Sequence, residues 1–181
     1  MNLYLRLVRI VLAALFGRRI GLLDDSVTSF RVWPHDLDLN LHMNNGRYLT
    51  VMDLGRVDLM IRTGVVGVIR RRRWMPVIGS ATIRYRRSLP AFARYRLRSH
   101  LLGWDEKWIY LEQRFEDASG AVAAHAVVRA AFRRRGGAVP TAEAVTAFGW
   151  QGPPPQLPPY VPALRDGDEA MRDELRGRDA A

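Results

Sequence analysis

The middle of the chain alternates apolar and polar residues with a period of two, as β-strands with one buried face do. In residues 77–87, for example, Ala81, Ile83 and Tyr85 alternate with polar neighbours. Strands of similar character are predicted at 27–33, 93–102, 108–116 and 121–133, and turns of hairpin length fall at 103–106 and 117–120. The pattern predicts a first strand followed later by a four-stranded antiparallel meander.

A change to helical spacing separates the first strand from the other four. Asn44 or Asn45 is suited to cap the N-terminus of a helix that runs to about Thr63. Tyr48 and Met52 are among the apolar residues that recur at helical spacing within it. A single long apolar helix beside a sheet must be covered by that sheet, which predicts an α+β fold.

Both ends of the chain differ from this pattern. Residues 1–25 are predicted to form an amphipathic helix and a linker, residues 26–140 the folded domain, and residues 141–181 a proline-rich extension with a frayed, charged tail. The apolar run from Ile10 to Phe16 is too short to span a bilayer, for which about 20 apolar residues are needed. The N-terminal helix could pack on the protein or an oligomer partner, lie in a membrane interface, or be cleaved as a signal peptide.

Composition excludes some chemistries and leaves others open. The chain of 181 residues contains no cysteine, which excludes disulfides, zinc–thiolate sites and a cysteine nucleophile and is consistent with a cytoplasmic protein. Its formal net charge is +10, and Lys107 is the only lysine. The arginines reflect either a codon bias or an anionic partner, such as an acidic membrane surface or a phosphate-bearing substrate. Nucleic acid is not expected, because no nucleic-acid-binding motif is present.

The most informative segment is 36–48, where polar residues cluster at the predicted start of the helix. A carboxylate such as Asp38 at this position can act as a nucleophile or as a base for water, and free backbone N–H groups can stabilise an oxyanion. Alternatively, Asp36 and Asp38 only cap the turn and helix. His42 could be a base, an orienting donor or a loop residue without a role. No metal site is predicted, because no fourth ligand stands at a recognisable spacing.

Segment 36–48, followed by Asp53 and Arg56, resembles the signature of the hot-dog-fold thioesterases related to 4-hydroxybenzoyl-CoA thioesterase and to plant acyl-ACP thioesterases. The resemblance covers about residues 26–137. It implies a hot-dog fold, in which an antiparallel sheet wraps around a long central helix. It also implies hydrolysis of an acyl thioester, without a cofactor, by a homodimer or homotetramer whose active site lies between subunits.

The resemblance also suggests roles for individual residues. It assigns the catalytic carboxylate to Asp38, and Asn40, His42 and Asn45 match further polar positions of the family motif. A backbone amide near the start of the next strand would polarise the thioester carbonyl. The remaining candidates are the amide region at Gly79 and Ser80, an acyl tunnel lined by Tyr48, Met52 and Tyr85, and the arginines 70–73, Arg84 or Arg86 for the phosphates of CoA.

The function predicted from these residues is an acyl-CoA thioesterase of fatty acid metabolism that acts on a fatty or aromatic acyl group. Three alternatives remain: an acyl-ACP thioesterase, a hot-dog dehydratase or hydratase, and a non-catalytic acyl-lipid-binding protein at a membrane. The protein is expected to be cytoplasmic, with peripheral membrane contact through residues 1–19 as an open alternative.

Overall fold

The structure, a computed structural model, describes residues 3–179. Its elements in chain order are α1 (Leu3–Phe16), β1 (Ser26–Arg31), α2 (Asn45–Arg62), α3 (Val65–Arg72), β2 (Met75–Tyr85), β3 (Arg94–Trp104), β4 (Ile109–Asp117), β5 (Val122–Arg134), β6 (Gly137–Val139), α4 (Thr141–Ala147) and α5 (Tyr160–Asp179). A short 3-10 turn, Pro34–Asp36, lies between β1 and α2.

The sheet is antiparallel and packs its inner face against α2. Its strand order is β1-β3-β4-β5-β2, with β6 paired to β5. The side chains of α2 share one core with those of β1, β3, β4 and β5. This arrangement confirms the predicted α+β class and the hot-dog fold.

The predicted four-strand meander is wrong in one respect. Strands β3, β4 and β5 pair with their neighbours in sequence, but β2 lies at the opposite edge of the sheet and pairs with β5. The alternation of apolar and polar residues predicts that β2 is a strand, but it contains no information about which strand lies beside it. Strands β1 and β2 therefore form the two ends of the main strand order.

The central helix begins where the sequence predicts. Asn44 is the N-cap, and its side-chain oxygen accepts a hydrogen bond of 2.8 Å from the Gly46 amide. The helix lies very close to the sheet at Gly55, where an added Cβ would stand 2.6 Å from Leu97 and 2.7 Å from the Ser99 hydroxyl. A side chain at Gly55 would therefore force α2 away from β3.

Two helices outside this core are fixed to it in different ways. The predicted N-terminal helix is confirmed as α1, and Ile10 and Ala14 are buried in its contact with the core. The expected frayed tail is wrong over residues 165–179, which belong to α5. Val161, in the first turn of α5, is fully buried and packs with residues of β4 and β5. Residues 180 and 181 lie outside the described residues.

No helix within residues 3–179 has the length and apolar character needed to cross a bilayer.

Candidate active site

The loop between β1 and α2 closes on itself. Leu37 and Met43 form an isolated antiparallel bridge, and the Asp38 amide donates a 2.8 Å hydrogen bond to the His42 carbonyl. Leu41 adopts a φ of +59°, which turns the chain sharply at the tip of the loop. We call residues 37–43 the motif loop. Its closed form presents several polar side chains at the start of α2.

The carboxylate of Asp38 is held inside the motif loop by backbone amides. Its Oδ1 accepts hydrogen bonds from the amides of Asn40 (2.9 Å) and His42 (3.2 Å). Within residues 3–179, no hydrogen bond or ion pair engages the other oxygen, Oδ2. The side chain is half-buried. One oxygen therefore fixes the orientation of the carboxylate and the other is available for chemistry.

A polar cleft of about 330 Å³ opens beside this carboxylate. The structure brings together there seven of the residues that the sequence singled out, namely Asp38, Asn40, His42, Asn45, Tyr48, Tyr85 and Arg86. Sequence reasoning assigned no part to its other members Met43, Arg87 and Ser88, and it proposed Tyr85 and Arg86 only as tunnel and phosphate contacts.

The segment that contributes Arg87 and Ser88 reaches the cleft through long-range pairing. His42 forms an isolated bridge with Pro90, and the Met43 amide donates to the Leu89 carbonyl at 2.8 Å. Pairings of this kind leave no periodic signal in the sequence. They place two exposed arginines, Arg86 and Arg87, beside the Asp38 carboxylate.

The N-terminus of α2 adds donors to the same cleft. Asn44 caps the helix, which leaves the exposed side chain of Asn45 free to face a ligand, as the sequence predicts for one of the two asparagines. The first amides of a helix have no intrahelical partner and carry a partial positive charge. The amide end of α2 therefore favours a negative charge in the cleft.

Two tyrosines form the apolar wall of the cleft. Tyr48 is 2% exposed and meets Tyr85 edge to face, with ring centroids 5.1 Å apart. The Tyr85 hydroxyl donates to the Asn45 carbonyl at 3.1 Å. Burial raises the pKa of Tyr48 to about 12, with smaller contributions from Tyr85 and the Asp38 charge. Tyr48 therefore remains a protonated hydrogen-bond donor at neutral pH.

Asp36 differs from Asp38 in being almost completely buried. It forms an ion pair with the buried Arg6 of α1, and its Oδ2 accepts a 2.9 Å hydrogen bond from the Trp33 amide. The Asp36 carbonyl also accepts from the Asn44 amide at 2.8 Å. These contacts fasten α1 and the cap of α2 to the base of the motif loop, and they support the structural role expected for Asp36.

Gly79 and Ser80 do not line this cleft. They form a bulge in β2, and a Cβ at Gly79 would lie 2.4 Å from the ring of Trp108. The Ser80 hydroxyl hydrogen-bonds to Asp168 of α5 and accepts from Arg129 at 2.9 Å. Gly79, by leaving room for the Trp108 ring, and Ser80, by its hydrogen bond to Asp168, thus contribute to the packing of α5 on the outer face of the sheet. The bulge nevertheless leaves one backbone amide of this edge strand outside the regular ladder.

Arg84 and Met52 also lie apart from the cleft. Successive side chains on a strand point to opposite faces, so Arg84 lies on the face opposite to Tyr85. Met52 is 1% exposed and belongs to the central core. Neither side chain lines a cavity together with Asp38, so the predicted substrate-binding positions at Arg84 and Met52 are not supported within one protomer.

A second, apolar cavity of about 270 Å³ lies between the second half of α2, the start of β2, and the sheet. At its edge, Arg56 donates to the buried Gln113 side chain at 2.7 Å and forms an ion pair with Asp53. Burial lowers the pKa of Arg56, which Asp53 partly offsets. Asp53 and Arg56, both part of the motif recognised in the sequence, therefore stand at this cavity and not at the Asp38 cleft.

One face of α2 connects the cleft with the cavity. Its residues at spacings of three and four are Asn45 at the cleft, the exposed Leu49, and then Asp53, Val57 and Met60 at the cavity. With a rise of about 1.5 Å per residue, the eight positions from Asn45 to Asp53 cover about 12 Å. A ligand of that length lying along α2 would contact both sites.

Comparisons with known proteins agree with this architecture. A family model described as the thioesterase-like superfamily matches residues 32–161. Protein THEM6 of Drosophila melanogaster is 39% identical over 116 residues, which are 63% of this chain and 60% of that protein. Thioesterase lcsJ of Purpureocillium lilacinum is 27% identical over 118 residues, which are 55% of this chain and 38% of that protein. The chain thus spans roughly half the length of such relatives.

A solved structure supports the fold independently. The YbaW probable thioesterase of Escherichia coli superposes with a TM-score of 0.61 at 22% identity, covering 67% of this chain and 97% of the other. At this level of identity the likeness concerns the fold alone. It covers the wrapped helix and sheet, on which the cleft and the cavity are built.

Proposed function

The chain belongs to the thioesterase-like superfamily, and on that premise we propose that it hydrolyses an acyl thioester of coenzyme A to the free acid and the thiol. The observation that carries the proposal is the Asp38 carboxylate. One of its oxygens is fixed by two amides and the other is unengaged, and it lies in a cleft that includes the start of a helix. This is the arrangement that attack on an acyl carbon requires.

Two routes of attack are compatible with this geometry. In the first, Asp38 takes a proton from water, the water oxygen bonds to the thioester carbon, the C–S bond breaks, and the thiolate leaves and is protonated. In the second, Asp38 itself attacks, the thiolate leaves, and water then cleaves the resulting anhydride. His42 and Asn45 line the same cleft and would orient the water or the carbonyl, with Asn40 at its edge.

The developing oxyanion needs hydrogen-bond donors. The amide end of α2 at Asn45 supplies donors in the same protomer as Asp38. The bulge amide at Gly79 lies on an edge strand, so it would reach the carbonyl only if a second copy placed its β2 edge beside the cleft. A homodimer with the active site between subunits would use both groups of donors, the amide end of α2 from one protomer and the Gly79 amide from the other.

The acyl chain would follow the face of α2 past Leu49 into the apolar cavity, whose lining includes Val57, Met60 and Phe132. The cavity volume of about 270 Å³ is just below the roughly 300–1,000 Å³ of typical ligand pockets. At the other end, Arg86 and Arg87 at the cleft would meet the phosphate groups of coenzyme A. Both features favour a CoA ester with an extended acyl group.

The decisive test is Asp38→Asn assayed against acyl-CoAs of increasing chain length. The amide keeps an oxygen that accepts from the Asn40 and His42 amides but can neither attack nor take a proton, so turnover should fall about 100-fold or more. Asp173→Asn, at an exposed carboxylate of α5, is the matched control. Undiminished turnover in Asp38→Asn contradicts the assignment.

A single-turnover reaction in water labelled with heavy oxygen separates the two routes. If Asp38 attacks directly and water then cleaves the anhydride at its aspartyl carbon, the first acid released carries an unlabelled oxygen from the protein. If Asp38 acts as a base, the label enters the acid at once.

Occupation of the cavity is tested by Val57→Phe, which fills part of it. Turnover of long-chain acyl-CoAs should fall about tenfold while short-chain substrates are largely unaffected, because one to a few methylene groups lose their contacts. Val66→Phe, at an exposed position of α3 outside the cavity, is the control. Equal loss for short and long chains would place the acyl group elsewhere.

One observation favours a second candidate. His42 and Asp38 line the same cleft, and a hydratase of this fold pairs a histidine with a carboxylate. The substrate panel therefore includes an enoyl-CoA, and addition of water to it without release of thiol would identify a hydratase. Binding of acyl-CoA without any turnover would instead support the acyl-lipid-binding alternative.

A further inference from the structure

Helix α1 is apolar on the side that faces away from the protein. Six large apolar side chains on this side are between 50% and 89% exposed: Tyr4, Leu5, Val8, Leu12, Leu15 and Phe16. At about 100° per residue they fall in one arc, opposite the buried Arg6, Ile10 and Ala14. We call these six residues the outer face of α1. A helix that is apolar on all sides normally has both sides covered.

This outcome differs from the amphipathic helix that the sequence predicts. The charged residue Arg6 does not lie on a polar, solvent-facing side but turns inward to pair with Asp36. Arg9 remains exposed at the border of the outer face, where it donates to the Ser29 carbonyl at 2.8 Å. The outer face therefore contains no charged residue, and at least half of each of its side chains is exposed.

Arginines line a cleft directly beside the outer face. The cleft lies between α1, β1 and β3 and includes Arg9, Arg31, Arg94 and Arg96. Arg31 and Arg94 stand directly opposite each other on the paired strands β1 and β3. Like charges in that position repel one another, so their proximity is unfavourable without an anion. We call this the arginine cleft.

The positive charge of the arginine cleft is only partly neutralised. Arg96 lies 3.7 Å from Glu116, whereas Arg9, Arg31 and Arg94 form no ion pair with any carboxylate of residues 3–179. The acidic residue in the lining is Asp117, which is paired with Arg87. An apolar helix face and a cationic cleft therefore share one border at Arg9.

We propose that this surface binds an anionic lipid bilayer, with the outer face of α1 in the interfacial region and lipid phosphates in the arginine cleft. Helices that lie in a membrane interface combine one apolar face with flanking arginine or lysine residues. The phosphates would supply the counter-charge that Arg31 and Arg94 lack. The surface would bring the protein to the bilayer through a helix that lies in the interface.

A second copy of the chain fits the same surface less well. In a two-fold dimer the same patch faces itself, so burying the outer face of α1 against an antiparallel copy would bring the two arginine clefts together. The arginines of one copy would then meet arginines of the other with no anion between them. A bilayer covers the apolar face and neutralises the charge at the same time.

The test is flotation of the full chain with lipid vesicles in a density gradient. The protein should float with phosphatidylcholine vesicles that contain phosphatidylglycerol, and much less with phosphatidylcholine alone or at high salt. If the protein fails to float with the anionic vesicles, or floats equally with both compositions, the proposal is overturned.

Two sets of substitutions, one in the outer face of α1 and one in the arginine cleft, each have a matched control and test which residues bind the bilayer. Leu5→Gln with Val8→Gln and Leu12→Gln should lower the floated fraction about tenfold, while Met171→Gln with Leu175→Gln, at exposed positions of α5, leaves it unchanged. Leu15→Gln with Phe16→Gln, at the end of α1, is a milder second variant.

For the charge, Arg31→Gln with Arg94→Gln should reduce flotation and its dependence on salt. Arg70→Gln with Arg71→Gln on α3, which removes the same charge elsewhere, should not.

Light scattering of the same variants tests the competing explanation, in which a second copy of the chain covers the outer face of α1. If the α1 variants halve the mass of the particle in solution, a second copy covers the outer face and the membrane proposal is wrong. If the mass is unchanged and flotation is lost, the proposal stands. Variants of α1 that float like the unmodified chain also overturn it.

Discussion

The two terminal helices, α1 and α5, both lie outside the wrapped core, but they are attached to different parts of it. Helix α1 reaches the motif loop through the ion pair between Arg6 and Asp36, both almost fully buried. Helix α5 lies on the outer face of the sheet, where Asp168 pairs with Arg129 at 2.9 Å. The two terminal helices therefore support different parts of the fold: α1 supports the base of the motif loop, and α5 covers the outer face of the sheet.

The difference also appears on their outward sides. The outer face of α1 is apolar, whereas the exposed positions of α5 are largely charged, with local pairs such as Arg178 and Glu174. A charged outer side is stable in water without a partner. From this comparison, α1 is expected to affect both the active site and a further partner, and α5 only the stability of the sheet.

The largest effect is expected from Arg6→Met. It removes the main partner of the buried Asp36 carboxylate and leaves only the longer contacts with Arg47 (3.6 Å) and His35 (3.5 Å), which should cost about 3 kcal/mol of unfolding free energy. Thioester hydrolysis should fall as well, because Asp36 supports the base of the motif loop. Urea unfolding and the hydrolysis assay measure the two effects.

The matched double variant is Arg6→Met with Asp36→Asn. It removes the poorly compensated charge while keeping an acceptor for the Trp33 amide, so it should regain part of the stability. If Arg6→Met alone is as stable and as active as the unmodified chain, the link between α1 and the motif loop is wrong.

The equivalent change in α5 is Asp168→Asn, with an expected cost of about 1–3 kcal/mol because Arg129 is left buried with a weaker partner. Hydrolysis by the folded protein should be unchanged, since α5 does not touch the Asp38 cleft. A selective loss of activity at full stability would show that α5 acts on the site after all.

The pH dependence of stability tests the contact of α5 with the sheet at Glu112. A hydrogen bond with His125, and to a lesser extent the charge of Arg114, hold the pKa of Glu112 below its usual 4.5, and the Tyr160 hydroxyl lies 3.4 Å from it. A lowered folded-state pKa gives stability that is present above the unfolded pKa and is lost as pH falls through the folded value.

The expected loss lies below about pH 4.5 and is seen as a falling urea midpoint. Glu112→Gln should remove this part of the pH dependence while the remaining carboxylates keep theirs. An unchanged slope in the variant would mean that Glu112 does not contribute.

The smallest effect is expected from Gly167→Ala within α5. No atom lies within 4 Å of the added methyl group, so the helix should gain about 0.5–1 kcal/mol from the better helix propensity of alanine. Slower hydrogen exchange in α5 would confirm it. Gly55→Ala is the contrasting control, because the same methyl group there collides with Leu97 and should destabilise the protein.

The sequence predicts best what is determined locally. The cap at Asn44, the extent of α2 and the gathering of Asp38, His42 and Asn45 depend on neighbouring residues, and all are found in the structure. Helix α5 was missed because Gly167 lowers its helix propensity and the proline-rich stretch before it favours an extended chain, whereas tertiary contacts at Val161 stabilise it.

Long-range pairing accounts for the remaining differences. The position of β2 beside β5, and the approach of Arg87 and Ser88 to His42, join segments that are about 40 to 60 residues apart. Arg84 was a candidate although the alternation already put it on the opposite face from Tyr85. The proposed relation between Gly79 and Asp38 would depend on a second copy, which the sequence of one chain does not describe.

The buried pair of Arg6 and Asp36 affects how this protein can be shortened for laboratory work. Removing residues 1–19 would also remove Arg6, the main partner of the buried Asp36 carboxylate two positions from Asp38. Loss of activity in such a truncated protein would reflect damage to the motif loop, whatever the helix does at a lipid surface. Solubility is better improved by point substitutions at the exposed leucines, which leave the inner side of the helix in place.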